Sequence, residues 1–580
     1  MDFSLLNDAQ RRAVSFDGKH LLVLAGAGTG KTLVIIARAI WLMQQGINPK
    51  SIRILSYTKK SAGEIVDRIL AEAASIPEAK DLRGSTFHSW CMEIIDRYPD
   101  EFCLQGYVPI DEAIIDSIKR NYDDYEAYKR NHRYLDYDDM LKAVADALEG
   151  NGSLRAKVAA DYSNILIDEM QDTNPLQWRV LDCLSGICHL FCVGDDAQSI
   201  YAFRGADFKS IHSFTGRVPG GEVLKLTDNY RSAQEILDLS NWLLRQSPLE
   251  YDKDLQSVRG HGYKPELYFC KGRHNEAQLL LSIIQSGLKA GKKCSDYLIL
   301  SRTSLRVDEL TRALTDAGIR VNQLGGKKYS IEQPYVRDAI AALKIIINYK
   351  DEYSWRRFLR LWTFEGLFDA PAFIESAMSC SSLDAMLANL PHTDAISEKI
   401  SGCLTAARDC WKEPAVAFGI VLSYIEPILA RKYADWAACK EDLETVRLLA
   451  VTCNDIPSFV GEYSADPAAA LIRHGIETGK DDSVVISTVH SAKGLESDTV
   501  IVLLREFPSF WCRAEDDFEE ERRCLYVALT RARNSLILTA KDRDGDLRDT
   551  GPFLSGIPDT LLNTFPKSGI QRPLTVNIDI

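Results

Sequence analysis

The segment AGAGTGKT, Ala25 to Thr32, constrains this chain more than any other, because a strand-like apolar run precedes it and a helical run follows it. A glycine-rich turn between a strand and a helix directs backbone N–H groups and the helix N-terminus at one bound phosphate. In this pattern Lys31 reaches the β- and γ-phosphates and Thr32 holds Mg²⁺. The predicted nucleotide-binding loop comprises Ala25, Gly26, Ala27, Gly28, Thr29, Gly30, Lys31 and Thr32. Since such patterns usually begin with Gly rather than Ala25, the loop alone does not establish a nucleotide site.

Short apolar runs rich in β-branched residues recur along the chain, and turn or polar residues bound each of them. The first set is HLLVLA, IRILSY, NILIDE, HLFCVG and VLKLT, at 20–25, 52–57, 164–169, 189–194 and 223–227. The second set is YLILS, VVIST, VIVLL and LILTA, at 297–301, 484–488, 500–504 and 536–540. Runs that are apolar on both faces and alternate with helical patterns are typical of parallel sheets covered by helices. The sequence therefore predicts an α/β protein with two sheets.

Two long stretches without strand-like runs interrupt these sets, and their apolar residues recur at helical spacing. They predict helical insertions at 91–152 and 331–482. The first sheet domain is then expected at 1–90 and 153–235, and the second at 236–330 and 483–556. A C-terminal tail follows at 557–580.

Charge and cysteine content exclude several classes of protein. The chain has 69 Lys and Arg against 82 Asp and Glu, a net charge of -13, so it does not bind nucleic acid through an overall basic surface. A local basic groove stays possible. The 14 scattered cysteines fit a reducing compartment, and we interpret Cys183, Cys188 and Cys192 as packing residues rather than metal ligands. No apolar run approaches the roughly 18 residues of a membrane span and no signal peptide is evident, so we expect a cytoplasmic protein without a membrane partner.

The apolar run NILIDE ends in two adjacent carboxylates, Asp168 and Glu169. In nucleotide hydrolysis one carboxylate of such a pair holds the magnesium shell while the other orients and deprotonates the attacking water. The alternative is an exposed acidic turn. We favour the catalytic interpretation because the pair is predicted to lie on the same sheet as the phosphate loop.

Further strings follow in a fixed order, and together they resemble the UvrD/Rep family of superfamily 1 DNA helicases. After LNDAQRRAV, AGAGTGKT and LSYTKKSAGEI come STFHSW, LIDEMQD, VGDDAQSIYAFRGA, LTDNYRS, VVISTVHSAKGLESD and EEERRCLYVALTRAR. The resemblance spans nearly the whole chain. It implies two RecA-like domains, each interrupted by a helical insertion, with ATP and Mg²⁺ as cofactors and single-stranded DNA or tailed duplex as the substrate.

The resemblance also implies roles for individual residues at the ATP site. Gln10 would read the adenine edge, Tyr230 would stack on the adenine face and Glu496 would contact the ribose. The remaining implied roles are Lys31, Thr32 and Asp168 for phosphate and Mg²⁺, Glu169 as general base, Gln198 as γ-phosphate sensor, and Arg231 and Arg531 as catalytic arginines. For either arginine alone the alternative is a surface salt bridge.

On the DNA side the resemblance implies contacts from Thr58, His88, Tyr201, Phe203, Arg204 and His490. Tyr201 and Phe203 would stack on bases at about 1–3 kcal/mol each. Phe203 stands where the family usually has Trp, which predicts a smaller stacking platform. Core packing is the general alternative for such aromatic residues, and a helix cap is the alternative for His88.

Two departures from the family pattern concern duplex DNA and partners. Where the family has a glycine-bearing loop that grips duplex, this chain keeps Gly366 but has Glu365 at the arginine position. We also expect this chain to lack the long C-terminal extension that is usual in the family, and to carry no nuclease signature in its place.

We therefore expect an ATP-dependent DNA translocase and helicase, and the resemblance implies 3′ to 5′ polarity. The main alternative is a DNA-stimulated ATPase that serves as a sensor or regulatory subunit for a nuclease or other protein partner. A catalytically inactive scaffold is disfavoured by the intact motifs, and RNA is a weaker alternative substrate.

Overall fold

A computed structural model of the chain describes residues 2–102, 104, 107–110, 125–132, 134–202, 211–248, 251, 253–324, 333–362, 380–390, 395–433, 436–465, 482–508, 515–541 and 551–565. The chain divides into two compact units. One unit contains Met1–Cys103, Leu141–Lys327 and Asp481–Ile580, and the other contains Leu104–Met140 and Lys328–Lys480. Both sheets lie in the first unit. The second unit overlaps the insertions predicted at 91–152 and 331–482, although 91–103 and 141–152 belong to the first unit, and the insertion bounds stay a prediction. The assignment of each sheet to a separate domain stays a prediction.

The strands are β1 His20–Ala25, β2 Ile52–Leu55, β3 Arg83–Ser85, β4 Val108–Pro109, β5 Tyr134–Leu135, β6 Asn164–Ile167, β7 His189–Gly194, β8 Gly221–Leu226, β9 Asp228–Asn229, β10 Gln256–Ser257, β11 Glu266–Cys270, β12 Tyr297–Ser301, β13 Val321–Leu324, β14 Val484–Thr488, β15 Ser497–Leu503, β16 Ala532–Lys541 and β17 Asn563–Phe565. They form a six-stranded sheet, β3-β2-β6-β7-β1-β8, and a seven-stranded sheet, β13-β14-β12-β15-β16-β11-β17. Every strand pair in both sheets is parallel. The predicted α/β class with two parallel sheets is confirmed.

The helices are α1 Asp8–Val14, α2 Lys31–Gln44, α3 Lys59–Glu72, α4 Phe87–Arg97, α5 Tyr125–His132, α6 Tyr137–Gly150, α7 Gly152–Asp161, α8 Pro175–Ser185, α9 Phe214–Arg217, α10 Gln234–Arg245, α11 Arg273–Lys289, α12 Ser304–Asp316, α13 Pro334–Ile347, α14 Glu352–Trp362, α15 Leu383–Ala388, α16 Ala395–Asp409, α17 Pro414–Lys432, α18 Trp436–Val451, α19 Ile456–Ala465 and α20 Glu515–Leu529. Several begin at side-chain caps, which satisfy backbone N–H groups that the first helical turn leaves free. Asn7, for example, caps α1 and forms a reciprocal capping box with Gln10.

The order of the first sheet brings the predicted motifs to one edge. Strand β7 lies between β6 and β1, with Leu24 opposite Gly194 and Ile167 opposite Cys192. Because parallel strands end on the same side of a sheet, the segments that follow β1, β6 and β7 share one edge. Those segments carry the phosphate loop, the paired carboxylates and the turn with Gln198.

The strand prediction missed β3, β9, β10, β11, β13 and β17, and it was wrong about the first insertion, where β4 pairs with β5. Strand β13 has the sequence VNQL, in which two polar residues interrupt the apolar pattern. Strands β3 and β17 are three residues long, and β4 and β5 two each. Segments this short carry too few residues for a periodicity argument.

The second unit has a helical core formed by α13 to α19, with Trp355, Trp362, Phe418 and Phe459 fully buried. Within the described part of the chain, α17 alone is long and apolar enough to cross a membrane, by length and composition only. The sequence analysis did not identify α17 as a possible membrane span, because Ser423, Tyr424 and Glu426 interrupt its apolar residues. Buried side chains of α17 pack in this helical core, and a core helix passes the same test.

Candidate nucleotide site

The phosphate loop adopts a backbone conformation that depends on glycine. Gly28 and Gly30 have φ angles of 71° and 90°, in the left-handed region that favours glycine. A Cβ atom on Gly28 would also lie 2.7 Å from Arg231 Cβ and from Asn229 Nδ2. The neighbouring segment secures the loop, since Asn229 Nδ2 donates to the Ala27 carbonyl at 2.6 Å and the Tyr230 N–H donates to the Gly28 carbonyl at 2.9 Å.

Residues from both sheets line one cavity of about 610 Å³. The first sheet contributes the loop, Glu169 and Gln198, and the second contributes Glu496 and Arg531. Arg231, which follows β9, also lines this cavity. The structure thus brings together most of the residues that the sequence predicts for ATP, although they come from positions far apart in the chain.

Lys31 begins α2 and is largely buried, with its side chain 13% exposed, and burial lowers the pKa of its ammonium group. Its Nζ lies 3.8 Å from Asp195 Oδ2, too far for a hydrogen bond. A buried ammonium at the mouth of a glycine-rich loop is a point charge suited to a phosphate oxygen.

Asp168 and Glu169 follow β6 directly. Asp168 Oδ1 is buried and has no hydrogen-bond partner among the described residues. Burial, reinforced by the charge of Glu169, raises the pKa of Asp168 to about 7. A divalent cation would supply the missing countercharge, so Asp168 fits a Mg²⁺ ligand. Thr32, the other predicted Mg²⁺ ligand, lines the cavity.

Glu169 has φ 56°, which is unusual for a residue other than glycine and costs about 1–3 kcal/mol. Its Oε2 accepts a 2.5 Å hydrogen bond from Gln171 Nε2. Burial would raise the pKa of Glu169, but the charges of Lys493 and Lys31 outweigh burial and lower it to about 2. Glu169 is therefore ionised and held facing the cavity, as a general base requires.

Gln198 lies in the short turn after β7, and it connects the two sheets. Its Nε2 donates to Asp195 Oδ2 at 2.7 Å, and its Oε1 lies 3.5 Å from Arg531 Nη2. Arg531 is buried, and burial together with the charge of Arg231 lowers its pKa to about 9. Within the described part of the chain Arg531 has no carboxylate partner, and its guanidinium bonds to carbonyls of Val527 and Leu495.

Arg231 and Glu496 form an ion pair in this structure, with Arg231 Nε 2.5 Å from Glu496 Oε2. Arg533 also binds Glu496, and the two arginines lower the pKa of this carboxyl against the effect of burial. Arg231 is thus engaged with the side chain that the sequence predicts for the ribose.

On the predicted adenine side, Tyr230 is half-exposed and its hydroxyl accepts a hydrogen bond from Asn7 Nδ2 at 3.0 Å. Gln10 is buried, its Nε2 donates to the Thr29 carbonyl at 3.0 Å, and its Oε1 accepts from the Asn7 N–H at 3.1 Å. Both ends of the Gln10 amide are therefore engaged here, with the Nε2 end bracing the phosphate loop and the Oε1 end closing the cap of α1. Its role as an adenine reader stays a prediction.

Sequence reasoning missed several charged residues at the site. Lys493 Nζ lies 3.5 Å from Glu169 Oε2 and forms a closer ion pair with Asp172. The cavity is also lined by Arg68, Arg259 and Arg533. The signal for Lys493 was present in the quoted string HSAKGLESD, but its partner Asp172 is remote in sequence.

Of the predicted DNA contacts, Tyr201 has the best defined surroundings. Its ring stacks on Tyr57 with centroids 5.0 Å apart, and its hydroxyl donates to the His490 carbonyl at 3.2 Å. Thr58 caps α3 by accepting from the Ser61 N–H, and Thr86 rather than His88 caps α4. Burial lowers the pKa of His88 to about 4, so this imidazole is neutral at physiological pH. Phe203 and Arg204 lie outside the described residues.

Known families and proteins match this chain over most of its length. The family model described as UvrD/REP helicase N-terminal domain matches residues 6–113 and 108–219, and the model described as UvrD-like helicase C-terminal domain matches 224–365 and 467–543. The chain is 27% identical to the ATP-dependent DNA helicase PcrA of Bacillus subtilis (strain 168), covering 96% of this chain and 86% of the relative. It is 26% identical to PcrA of Staphylococcus epidermidis (strain ATCC 35984), covering 98% and 89% of the two chains.

Proposed function

Because the chain belongs to the UvrD/REP family of DNA helicases, we propose that it hydrolyses Mg·ATP to move along single-stranded DNA and to separate duplex strands. The proposed polarity is 3′ to 5′. In this cycle the two sheets close on ATP and reopen after hydrolysis, so that each turnover advances the motor along one strand.

The observation that carries the proposal is a pair of largely buried cations at one cavity, each held by a segment next to a different sheet. Lys31 begins α2, which follows β1 of the first sheet, and Arg531 lies between α20 and β16 of the second sheet. A buried guanidinium without a carboxylate partner is unfavourable, and the γ-phosphate of ATP supplies its countercharge. Binding of ATP therefore favours approach of the two sheets, and loss of the γ-phosphate removes that attraction.

Residues of this chain divide the chemical work among them. Lys31 and the loop N–H groups bind the phosphates, and Thr32 and Asp168 would hold Mg²⁺, which neutralises phosphate charge when bound. Glu169 takes the proton of the attacking water. Gln198 and Arg531 contact the transferring phosphoryl group, where positive charge contributes about 10³–10⁵ in rate.

DNA binding is proposed for the edge of this site that carries Tyr201 and His490. These two residues belong to different sheets and touch through the Tyr201 hydroxyl. Lys493 Nζ lies 5.1 Å from the Tyr201 ring centroid and also approaches Glu169. Movement of Tyr201 on binding DNA would therefore shift Lys493 and, through it, the position and charge environment of Glu169, the proposed general base. This coupling supports DNA-stimulated hydrolysis.

The decisive experiment measures ATP hydrolysis with and without single-stranded DNA and Mg²⁺, together with unwinding of 3′-tailed and 5′-tailed duplexes. We expect DNA-stimulated, Mg²⁺-dependent hydrolysis and unwinding of the 3′-tailed duplex. Stimulated hydrolysis without unwinding of either duplex would favour the alternative role as sensor or regulatory subunit. Absence of hydrolysis under all conditions would refute the motor assignment.

A further inference from the structure

Residues 253–259 run along the nucleotide site as a segment with the two-residue strand β10 at its centre, here called the strap. The strap follows α10 and pairs with the first-sheet side through β10 and β9. In extended backbone alternate side chains share a face. Lys253, Leu255, Ser257 and Arg259 are such alternate residues, and each contacts a different part of the nucleotide site.

These four contacts run from one sheet to the other. Lys253 forms ion pairs with Asp195 and Asp196, and Leu255 packs on the phosphate loop, where a Cβ on Gly26 would lie 2.3 Å from Leu255 Cδ2. Ser257 Oγ donates to the Ser232 carbonyl at 2.7 Å. Arg259 Nη2 donates to Asn534 Oδ1 at 2.7 Å. Asn241 fixes the strap by bonding both the N–H and the carbonyl of Leu255.

Lys253 has the most consequential position of the four. Its side chain is 4% exposed, and those of Asp195 and Asp196 are 0% and 3% exposed. Asp195 is shared, because its Oδ2 accepts the 2.7 Å hydrogen bond from Gln198 and lies 3.8 Å from Lys31 Nζ. Lys253 is therefore linked through Asp195 both to Gln198, the proposed γ-phosphate sensor, and to Lys31, the proposed phosphate-binding lysine.

The charges decide what Lys253 does. Without it, two buried carboxylates would remain, with Lys31 Nζ 3.8 Å from Asp195 and His212 Nε2 3.5 Å from Asp196. Lys31 would then be drawn toward Asp195 and away from phosphate. The carboxylate that orients Gln198 would also lose its anchor. Lys253 thus leaves Lys31 available to ATP while holding Asp195 against Gln198.

We propose that Lys253 is a positioning residue of the ATPase, which acts through Asp195 to fix Gln198 for γ-phosphate recognition and to keep Lys31 free for the nucleotide. The inference rests on the proposed function, since it assumes an ATPase in which Gln198 reads the γ-phosphate. Lys253 itself is not expected to touch ATP.

The test compares Lys253→Met with wild type in steady-state hydrolysis and in affinity for ADP and for a non-hydrolysable imido analogue of ATP. A misplacement of about 1 Å in catalytic groups costs about 10²-fold in rate, so we expect kcat to fall by that order. We also expect the preference for the ATP analogue over ADP to shrink, because the γ-phosphate sensor is loosened. Lys253→Arg, which keeps the charge, should recover much of both properties.

Two control variants separate positioning from stability. Arg306→Met removes a buried cation of α12, whose Nη2 lies 2.6 Å from Glu276 Oε2 and which does not line the cavity. This variant should lower the melting temperature without changing nucleotide preference. Lys253→Met leaves the two buried carboxylates of Asp195 and Asp196 without their shared ion-pair partner. Adding Asp196→Asn removes one of these two negative charges. It should recover stability while kcat and nucleotide preference stay low.

The outcomes are distinguishable. If the double variant recovers kcat along with stability, or if folded Lys253→Met keeps wild-type kcat and preference, the positioning role is wrong while the ATPase stands. A wild-type protein that hydrolyses no ATP with DNA and Mg²⁺ present would overturn the proposed function and this inference with it.

Discussion

At the scale of single residues, Lys31 and Glu169 both line the cavity, but their charges assign them different tasks. We predict that Lys31→Ala weakens nucleotide binding, because the variant lacks the buried ammonium group. Glu169→Gln should keep nucleotide binding and lose about 10²–10⁴-fold in turnover, because an amide cannot accept the proton. Phosphate release and fluorescent-nucleotide titration measure the two effects. Near-normal turnover of Glu169→Gln would show that another group is the base.

Arg531 gives a second prediction at this scale. In the proposed mechanism its guanidinium meets charge that develops mainly in the transition state, so Arg531→Ala should lower kcat by about 10³-fold or more and weaken ATP binding far less. Arg533→Ala is the matched comparison, since Arg533 lines the same cavity, is half-exposed and pairs with Glu496. It should have a much smaller effect on kcat. Equal losses in kcat and affinity for Arg531→Ala would contradict the proposed role in the transition state.

At the scale of elements, the packing of α11 on β12 makes a prediction about stability. A Cβ on Gly287 in α11 would lie 1.7 Å from the hydroxyl of the buried Tyr297, so Gly287→Ala should cost about 1–3 kcal/mol by overpacking. Gly63→Ala in α3 meets nothing within 4 Å and should be neutral or stabilising by up to about 1 kcal/mol. Urea unfolding of both variants checks this contrast. A stable Gly287→Ala protein would mean that Tyr297 can move.

The same scale shows which elements a sequence can predict. Strand β1 was predictable because HLLVLA is almost continuously buried and therefore almost continuously apolar. The strap was not, because Lys253, Leu255, Ser257 and Arg259 share a face but no chemical property that a periodicity search detects. Its only strand, β10, is two residues long.

The residues of the candidate site also fall into those that the sequence can predict and those that it cannot. Residues inside a local pattern, such as Lys31 and Glu169, were predictable because the pattern itself has a chemical purpose. Lys493 and Lys253 were not, because each is defined by a buried carboxylate that is remote in sequence. A surface charge and a buried partner look the same in a sequence, and only the fold distinguishes them.

At the scale of the whole molecule, we predict that the isolated protein moves along single strands more efficiently than it opens duplex. The reason is Glu365, which stands where the family places a duplex-gripping arginine and lies outside the described residues. Translocation on a single strand and unwinding of a tailed duplex, measured at equal ATP turnover, test this. Efficient unwinding of long duplexes by the isolated chain would contradict it.

Charge reversal at the same position extends this prediction. Glu365→Arg should raise duplex affinity and steepen its salt dependence by about 0.9 for each phosphate neutralised, if the loop faces DNA. Glu365→Gln is the matched control, which removes the carboxylate without adding a cation and should leave the slope unchanged. Unchanged duplex binding by Glu365→Arg would instead point to a protein partner for this loop.

The strand order of the first sheet has a consequence for synthesis on the ribosome. Strand β1 is made near the start of the chain, yet both of its neighbours, β7 and β8, come more than 160 residues later. At roughly 5–20 residues per second the apolar β1 waits on the order of ten seconds for a partner, which makes the nascent chain a natural client of chaperones. Arg531 emerges later still. A polypeptide released before that point would contain the phosphate loop but lack the arginine proposed to be catalytic, so it could bind nucleotide without hydrolysing it.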